Sequence, residues 1–379
     1  MSIAPRAEMG IRKFRAAVLA LALALVFLQL QAVTMGAQRG ELPAPEAWAA
    51  LERGDADKAA AIFREELERS PGNAMLLYGA GYAAFSLGRS DAAISSLKRA
   101  IESNPRFIPA MVLLSQIAYQ AADLDLAVAT LEKAAAIAPR DRDIAQQLAR
   151  WRREAALHGR FEERSTARFK VLFEGAAEKA IGDRVVAVLE SVYWRVGKAL
   201  NTYPSETLTV VLYTNRQFQD ITRAPAWAGG GYDGRIRLPV GGALRSPKTL
   251  ERVVTHEFVH AVIHNAASTG APTWVNEGLA SYMESSDRAW VAQVLRRADG
   301  RIPIEDLADG FGQFDGGTAL VAYAQSFLAG ELLCERLGTN LGPFLQMLGN
   351  GHTVDQALST HNVQPDAFYA EWQRRINAK

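Results

Sequence analysis

Two histidines four residues apart, with a glutamate beside the first, stand out chemically in this chain: Thr255-His256-Glu257-Phe258-Val259-His260. On a helix, residues four apart share one face, with Cβ atoms about 5–6 Å apart. Two imidazoles at that separation can close on one metal ion, at about 2.0–2.1 Å from each nitrogen for zinc. The Glu257 carboxylate then lies beside the metal, close enough to take a proton from a water there. The flanking residues predict the helix. Ser246-Pro247 supplies an N-cap and a proline at the first helical position. Leu250, Val253, Val254, Ala261 and Val262 recur at helical spacing. The motif is expected in the middle of a helix from about Pro247 to about Ala266.

A catalytic zinc usually keeps three protein ligands and one open position. His256 and His260 supply two. His264 continues the same face, but it stands eight residues from His256, about 12 Å along the axis at ~1.5 Å per residue, too far for one site. The metzincin pattern needs Gly and His three and six residues past the second histidine; those positions hold Ile263 and Ala266. Glu277 is left, in Trp274-Val275-Asn276-Glu277-Gly278-Leu279-Ala280, on a short helix opened by Pro272-Thr273. Asn265–Ala271 is long enough to turn that helix back on the first.

His256-Glu257-x-x-His260 followed by Asn276-Glu277-Gly278-Leu279-Ala280 resembles the gluzincin zinc peptidases, among them thermolysin and the aminopeptidase N-type enzymes. The overall pattern is most similar to the bacterial peptidase MA-like gluzincins, often fused to helical repeats. The resemblance spans roughly Phe169–Lys379, with its diagnostic motifs in about 30 residues. It implies Zn²⁺ on His256, His260 and Glu277, with Glu257 as general base. The chain also departs from its relatives. Sixteen residues separate His260 from Glu277, a shorter gap than is usual. The Gly-x-Met-Glu-Asn exopeptidase motif is absent, and the aspartate that thermolysin carries four residues past its third ligand is Ser281 here.

The 379 residues suffice for two or three domains, and 49% apolar with 22% charged residues is ordinary globular composition. A net charge of +1 gives no electrostatic case for nucleic acid or for an anionic membrane. Arg6, Arg12, Lys13 and Arg15 precede the apolar run Ala16–Leu28, and small residues follow at Thr34, Gly36 and Ala37. That order predicts a secretory signal peptide over 1–37. The run is shorter than the ~20 residues of a spanning helix, but Met35 spoils the cleavage site, so an uncleaved signal anchor is the alternative. Either way the chain is expected outside the cytoplasm, periplasmic or extracytoplasmic, touching a membrane only through that segment. The single cysteine, Cys334, rules out an intramolecular disulfide and reads as a buried thiol.

From about Pro43 to Ala156 the sequence repeats every 34 residues. Pro71, Pro105 and Pro139 are in register, as are Gly54, Gly88 and Ala122, then Ala59, Ala93 and Ala127, then Phe63, Leu97 and Leu131. This resembles the tetratricopeptide repeat, two helices per 34 residues. Three repeats, with Asp141–Leu157 as a closing helix, predict an all-α domain over 42–158. Such arrays commonly offer a concave surface to a peptide or protein partner, and a rigid spacer is the bland alternative.

After a polar hinge at Gly159–Glu163, residues 164–379 read as an α+β domain of the zincin type. Strands are predicted at Ala167–Phe173, Leu208–Tyr213 and Tyr232–Val240, with a long helix at Ala176–Leu200. A helical lobe follows: Asp287–Arg297, Thr318–Leu337, Leu341–Leu348 and Pro365–Ile376. Gly231–Val240, bounded by glycines, is expected to be an edge strand along which an extended substrate pairs. Tyr323 is the candidate oxyanion donor, by comparison with tyrosines of aminopeptidase-type gluzincins, with Tyr282 and plain core packing as rivals. The function expected is an exported zinc metallopeptidase acting on a peptide or protein substrate. The rivals are a non-catalytic repeat scaffold with a zincin-like domain, and a zinc hydrolase of a non-peptide bond.

Overall fold

The computed structural model describes residues 42–121, 123–175, 179–222, 231–240, 246–267, 270–284, 288–311 and 314–378. The export segment expected over 1–37 lies outside them, as do Ala122, Gly229-Gly230 and Gly241-Gly242. Among the described residues no helix is long and apolar enough to cross a membrane. The chain divides into two compact units that meet in sequence at Gly159 and Arg160.

The first unit is three helix pairs and a closing helix: α1 (Pro45–Glu52) and α2 (Ala56–Arg69), α3 (Ala74–Ser86) and α4 (Ser90–Ser103), α5 (Ile108–Gln120) and α6 (Leu124–Ile137), then α7 (Arg142–His158). The periodic residues do the packing. Ala59, Ala93 and Ala127 are fully buried, and Phe63 and Leu97 fill the gaps beside them. A Cβ on Gly79 would fall 2.3 Å from the Phe63 ring, and one on Gly81 2.8 Å from Leu97, so small residues set how closely the helices cross. Gly54 and Gly88 turn the first two pairs at φ +79 and +71, where a side chain would be strained. Asp141 caps α7 by accepting from the Asp143 and Ile144 amides. Trp151 of that helix stacks on Tyr119 at 4.5 Å, and Tyr119 donates to Glu154 at 2.7 Å.

The second unit holds one five-stranded sheet. Its strands are β1 (Phe161–Ser165), β2 (Phe169–Glu174), β3 (Leu208–Tyr213), β4 (Gly231–Tyr232) and β5 (Ile236–Pro239), in the order β1-β2-β3-β5-β4. The β2–β3 and β3–β5 pairs are parallel; the two outer pairs are antiparallel. Helix α8 (Lys179–Leu200) makes the crossover from β2 to β3, and the short α9 (Asn215–Thr222) follows β3. Then come α10 (Pro247–Ala267), α11 (Thr273–Glu284), α12 (Ala289–Arg297), α13 (Gly316–Leu337), α14 (Leu341–Gly349), α15 (Val354–Thr360) and α16 (Pro365–Asn377). Sheet, α8 and α10 share one core, in which Phe258 meets Phe169 at 6.1 Å and Tyr193 at 5.9 Å.

A predicted hinge and a predicted strand are corrected. The hinge at Gly159–Glu163 runs into β1, whose side chains are almost all exposed; main-chain bonds to β2 make it a strand without any apolar alternation. The stretch expected as one edge strand folds instead into a hairpin, turning at Asp233 and Gly234, the latter at φ +100. Its β5 arm is interior: Ile236 faces Val210 on one side and Tyr232 on the other. Ile236 therefore has no strand edge left for a substrate.

One contact of the lobe bears on the site. A Cβ on Gly278 would fall 2.2 Å from the Ser326 carbonyl oxygen, and one on Gly330 2.2 Å from the Gly278 carbonyl oxygen. Helices α11 and α13 thus touch backbone to backbone. That close approach fixes the height of the helix carrying Glu277.

Candidate metal centre

Helix α10 buries residues all round it, which is why both histidines are held rather than solvent-facing. Val254, Phe258, Val259 and Val262 anchor it in the core, and Thr255 accepts from Arg195 of α8 at 2.8 Å. The helical spacing then brings the His256 and His260 rings to 4.7 Å, edge to face. Helix α11 lays Glu277, 1% exposed, against them. Its Oε2 lies 3.6 Å from His256 Nε2 and its Oε1 3.7 Å from His260 Nε2. One ligand atom from each of the three residues falls within 4.8 Å of the others.

Of the other ring nitrogens, His260 Nδ1 is hydrogen-bonded with Asn276 Oδ1 at 3.0 Å, whereas His256 Nδ1 lies 2.9 Å from Glu284 Oε2 without the alignment of a hydrogen bond. The Asn276 oxygen only accepts, so His260 Nδ1 carries a proton and its Nε2 is the nitrogen turned toward the Glu277 carboxylate. A tetrahedral ion with bonds of about 2.0–2.1 Å sets its ligand atoms about 3.3 Å apart, close to the separations found here. The donor set fits zinc: two imidazole nitrogens and one carboxylate, a borderline-soft combination with room for a fourth position.

The electrostatics point the same way. Glu257 is 6% exposed. Burial raises its carboxyl; His256 opposes, and the charges of Glu277 and Glu284 add, for a value of about 8. Burial works against a charged His256, yet Glu277, Glu284 and Glu257 hold it well above the usual imidazole range. Three carboxylates converging on two imidazoles make a place that draws in positive charge.

The remaining candidates belong to the same unit. His264 sits a turn past His260, its ring 5.6 Å from that of Tyr232. Tyr323, on α13, packs edge to face on Phe311 at 5.2 Å. Tyr282 packs on Phe327 at 5.6 Å and, with Arg195 and Cys334, lines a cavity of about 290 Å³. Burial pushes the half-buried Cys334 thiol up to about 12. Sequence reasoning quoted Asn276 without a role and passed over Glu284 and Arg252, although Glu284 stands seven residues past Glu277, on the same helix face.

Residues 194–378 match the model of the Peptidase MA superfamily, the stretch that contains all of this geometry. The chain carries a Peptidase MA superfamily domain. Two tetratricopeptide-repeat models match ahead of it, over 45–106 and 84–150. The Peptidase MA domain thus follows a repeat array, and the α+β reading with a helical C-terminal lobe holds. No curated protein matches the chain. Among solved structures, the first tetratricopeptide domain of Spaghetti (RPAP3) bound to the HSP90 peptide SRMEEVD is similar at 18% identity and TM-score 0.28 over 29% of this chain and 88% of that one. The UNC-45 chaperone is similar at 14% identity and TM-score 0.27, over 87% of this chain and 31% of that one.

Proposed function

We propose that the chain is an exported zinc-dependent metallopeptidase whose Peptidase MA domain hydrolyses peptide bonds and whose repeats hold a peptide or protein partner. One observation carries the catalytic reading. His256 and His260 present Nε2 to a buried Glu277 carboxylate at 3.6 and 3.7 Å, and the Asn276 oxygen occupies Nδ1 of His260. A zinc ion held there supplies Lewis acidity toward a carbonyl and lowers the pKa of water toward ~7.

The chain's own residues do the rest. Glu257 accepts the proton of the attacking water as its oxygen bonds to the carbonyl carbon. Glu257 then returns that proton to the amide nitrogen as the C–N bond breaks, leaving an acid and an amine. Asn276 keeps the His260 imidazole from turning. The intact Glu257 speaks against the non-catalytic scaffold, which has no use for a buried carboxylate beside this cluster.

The purified protein should cleave members of an unbiased peptide library, lose that activity to a chelator, and recover it with zinc. Absence of turnover by the zinc-loaded wild type across the library would favour the scaffold. Export and a repeat-bound partner rest on the N-terminal basic-apolar pattern and on the repeat array. A membrane-impermeant crosslinker applied to intact spheroplasts should label the chain and give partner adducts within 42–158. Labelling only after lysis would overturn export, and adducts confined to other residues would overturn the role given to the repeats.

A further inference from the structure

Residues of α8, α11, α13 and α14 enclose the cavity of about 290 Å³ that Tyr282 and Cys334 line, near the small end of ligand pockets at roughly 300–1,000 Å³. Its walls are pinned in pairs. The Gly278–Gly330 contact seats α11 on α13, and a Cβ on Gly342 would fall 2.4 Å from the Asn201 carbonyl oxygen, so α14 begins against the end of α8. Val196, Ala199, Met283 and Leu341 make most of the lining apolar. The polar groups are divided by sign. On the α8 side stands Arg195, its side chain 46% exposed. Its guanidinium meets three protein acceptors: Thr255 Oγ1 at 2.8 Å, the Met283 carbonyl at 3.4 Å and Glu251 at 3.5 Å. Two of these contacts are long, so the group keeps donor capacity for a ligand. On the opposite side the Tyr282 hydroxyl has no hydrogen-bond partner among the described residues, and the Cys334 thiol lies beside it. Burial first, and then the charges of Glu331 and Glu335, raise both groups. That end of the cavity therefore stays protonated and repels an anion.

We propose that this cavity binds a small monocarboxylate with an apolar body, its carboxylate on Arg195 and its body against Val196, Met283 and Leu341. A guanidinium–carboxylate pair is among the stronger hydrogen-bonded contacts, and the apolar walls add the burial that a bare anion cannot use. The charge division sets the orientation. A carboxylate at the far end of the ligand would have to enter beside Glu331 and Glu335, so the site selects against dicarboxylates. None of the lining residues is His256, His260 or Glu277. The site is thus separate from the metal cluster, and it stands or falls without the zinc reading.

Saturation-transfer NMR on the full chain tests this with three probes: phenylacetate, its neutral amide phenylacetamide, and 4-carboxyphenylacetate. Phenylacetate should bind saturably and about 10-fold or more tighter than the amide, the difference expected for hydrogen bonds to a charged group. The dicarboxylate should bind more weakly than phenylacetate. Arg195→Met should bring acid and amide to equal affinity. Ala199→Phe, at an exposed position on the cavity wall, should abolish binding of both, and it keeps the test open if Arg195→Met folds poorly. Cys334 reports the location independently. It is the chain's only cysteine, so phenylacetate should slow modification of the protein by methyl methanethiosulfonate. Equal affinity of acid and amide in wild type would overturn the role of Arg195. Absence of phenylacetate binding, or binding that survives Ala199→Phe and leaves Cys334 unprotected, would overturn the site.

Discussion

Glu257→Gln should lower kcat by about 10²–10⁴ while leaving zinc content and fold intact. The substitution keeps the shape of the side chain and removes its ability to take a proton. Glu257 is absent from the ligand cluster of His256, His260 and Glu277, so the metal has no reason to leave. The fold should not suffer either. Glu257 is buried, with a carboxyl already pushed up to about 8 by that burial and by the charges of Glu277 and Glu284. At about 8 the carboxyl is already largely uncharged at neutral pH, and an amide of the same shape is neutral too, so the variant should melt no lower than wild type. Turnover is to be compared on whichever library peptide the wild type cleaves best, with zinc measured on the same samples. Equal kcat in the two proteins would sink the general-base assignment.

Glu277→Ala should take the protein from about one bound zinc to nearly none, the larger of the metal effects expected here. Loss of a group that merely orients a ligand costs about 10–100-fold in affinity; loss of a ligand should exceed that. Glu277 is 1% exposed and is the one carboxylate of the three-ligand group, so its removal leaves only the two imidazoles to hold an ion. The helix should survive the change, because α11 is seated by the Gly278–Gly330 backbone contact and by Trp274, whose ring lies 4.8 Å from that of Trp372. Elemental analysis after dialysis against a weak chelator, with a melting curve of the zinc-free protein as the fold control, reads the effect. Full zinc in Glu277→Ala would remove it from the ligand set. His264 offers no ready substitute, since it stands a turn away beside Tyr232.

Reading the chain without its fold went furthest where function depends on local spacing. A 34-residue period shows which residues of each repeat are buried, because helix geometry and nearest-neighbour stacking decide that over short distances. The His256–His260 pair is legible for the same reason: a rise of ~1.5 Å and 3.6 residues per turn put both rings on one face whatever surrounds them. Glu277 followed by elimination along the chain, and the structure places it against both rings.

What escaped depends on which faces meet. β1 has no apolar alternation, and it exists because its main chain can pair with β2. Gly231–Val240 alternates acceptably for one strand, yet Gly234 turns it into a hairpin and its β5 arm becomes interior. Gly278 looks like part of a chemical motif, whereas its lack of a side chain serves the crossing with Gly330, 52 residues on. Glu284 could be placed on the face of Glu277 from spacing alone, but its partner could not. Contact with His256 requires α10 and α11 to lie side by side at one height, and packing among α8, α10, α11 and α13 sets that height. Side-chain type and helical period therefore name the residues able to bind a metal, and packing between helices determines whether those residues converge.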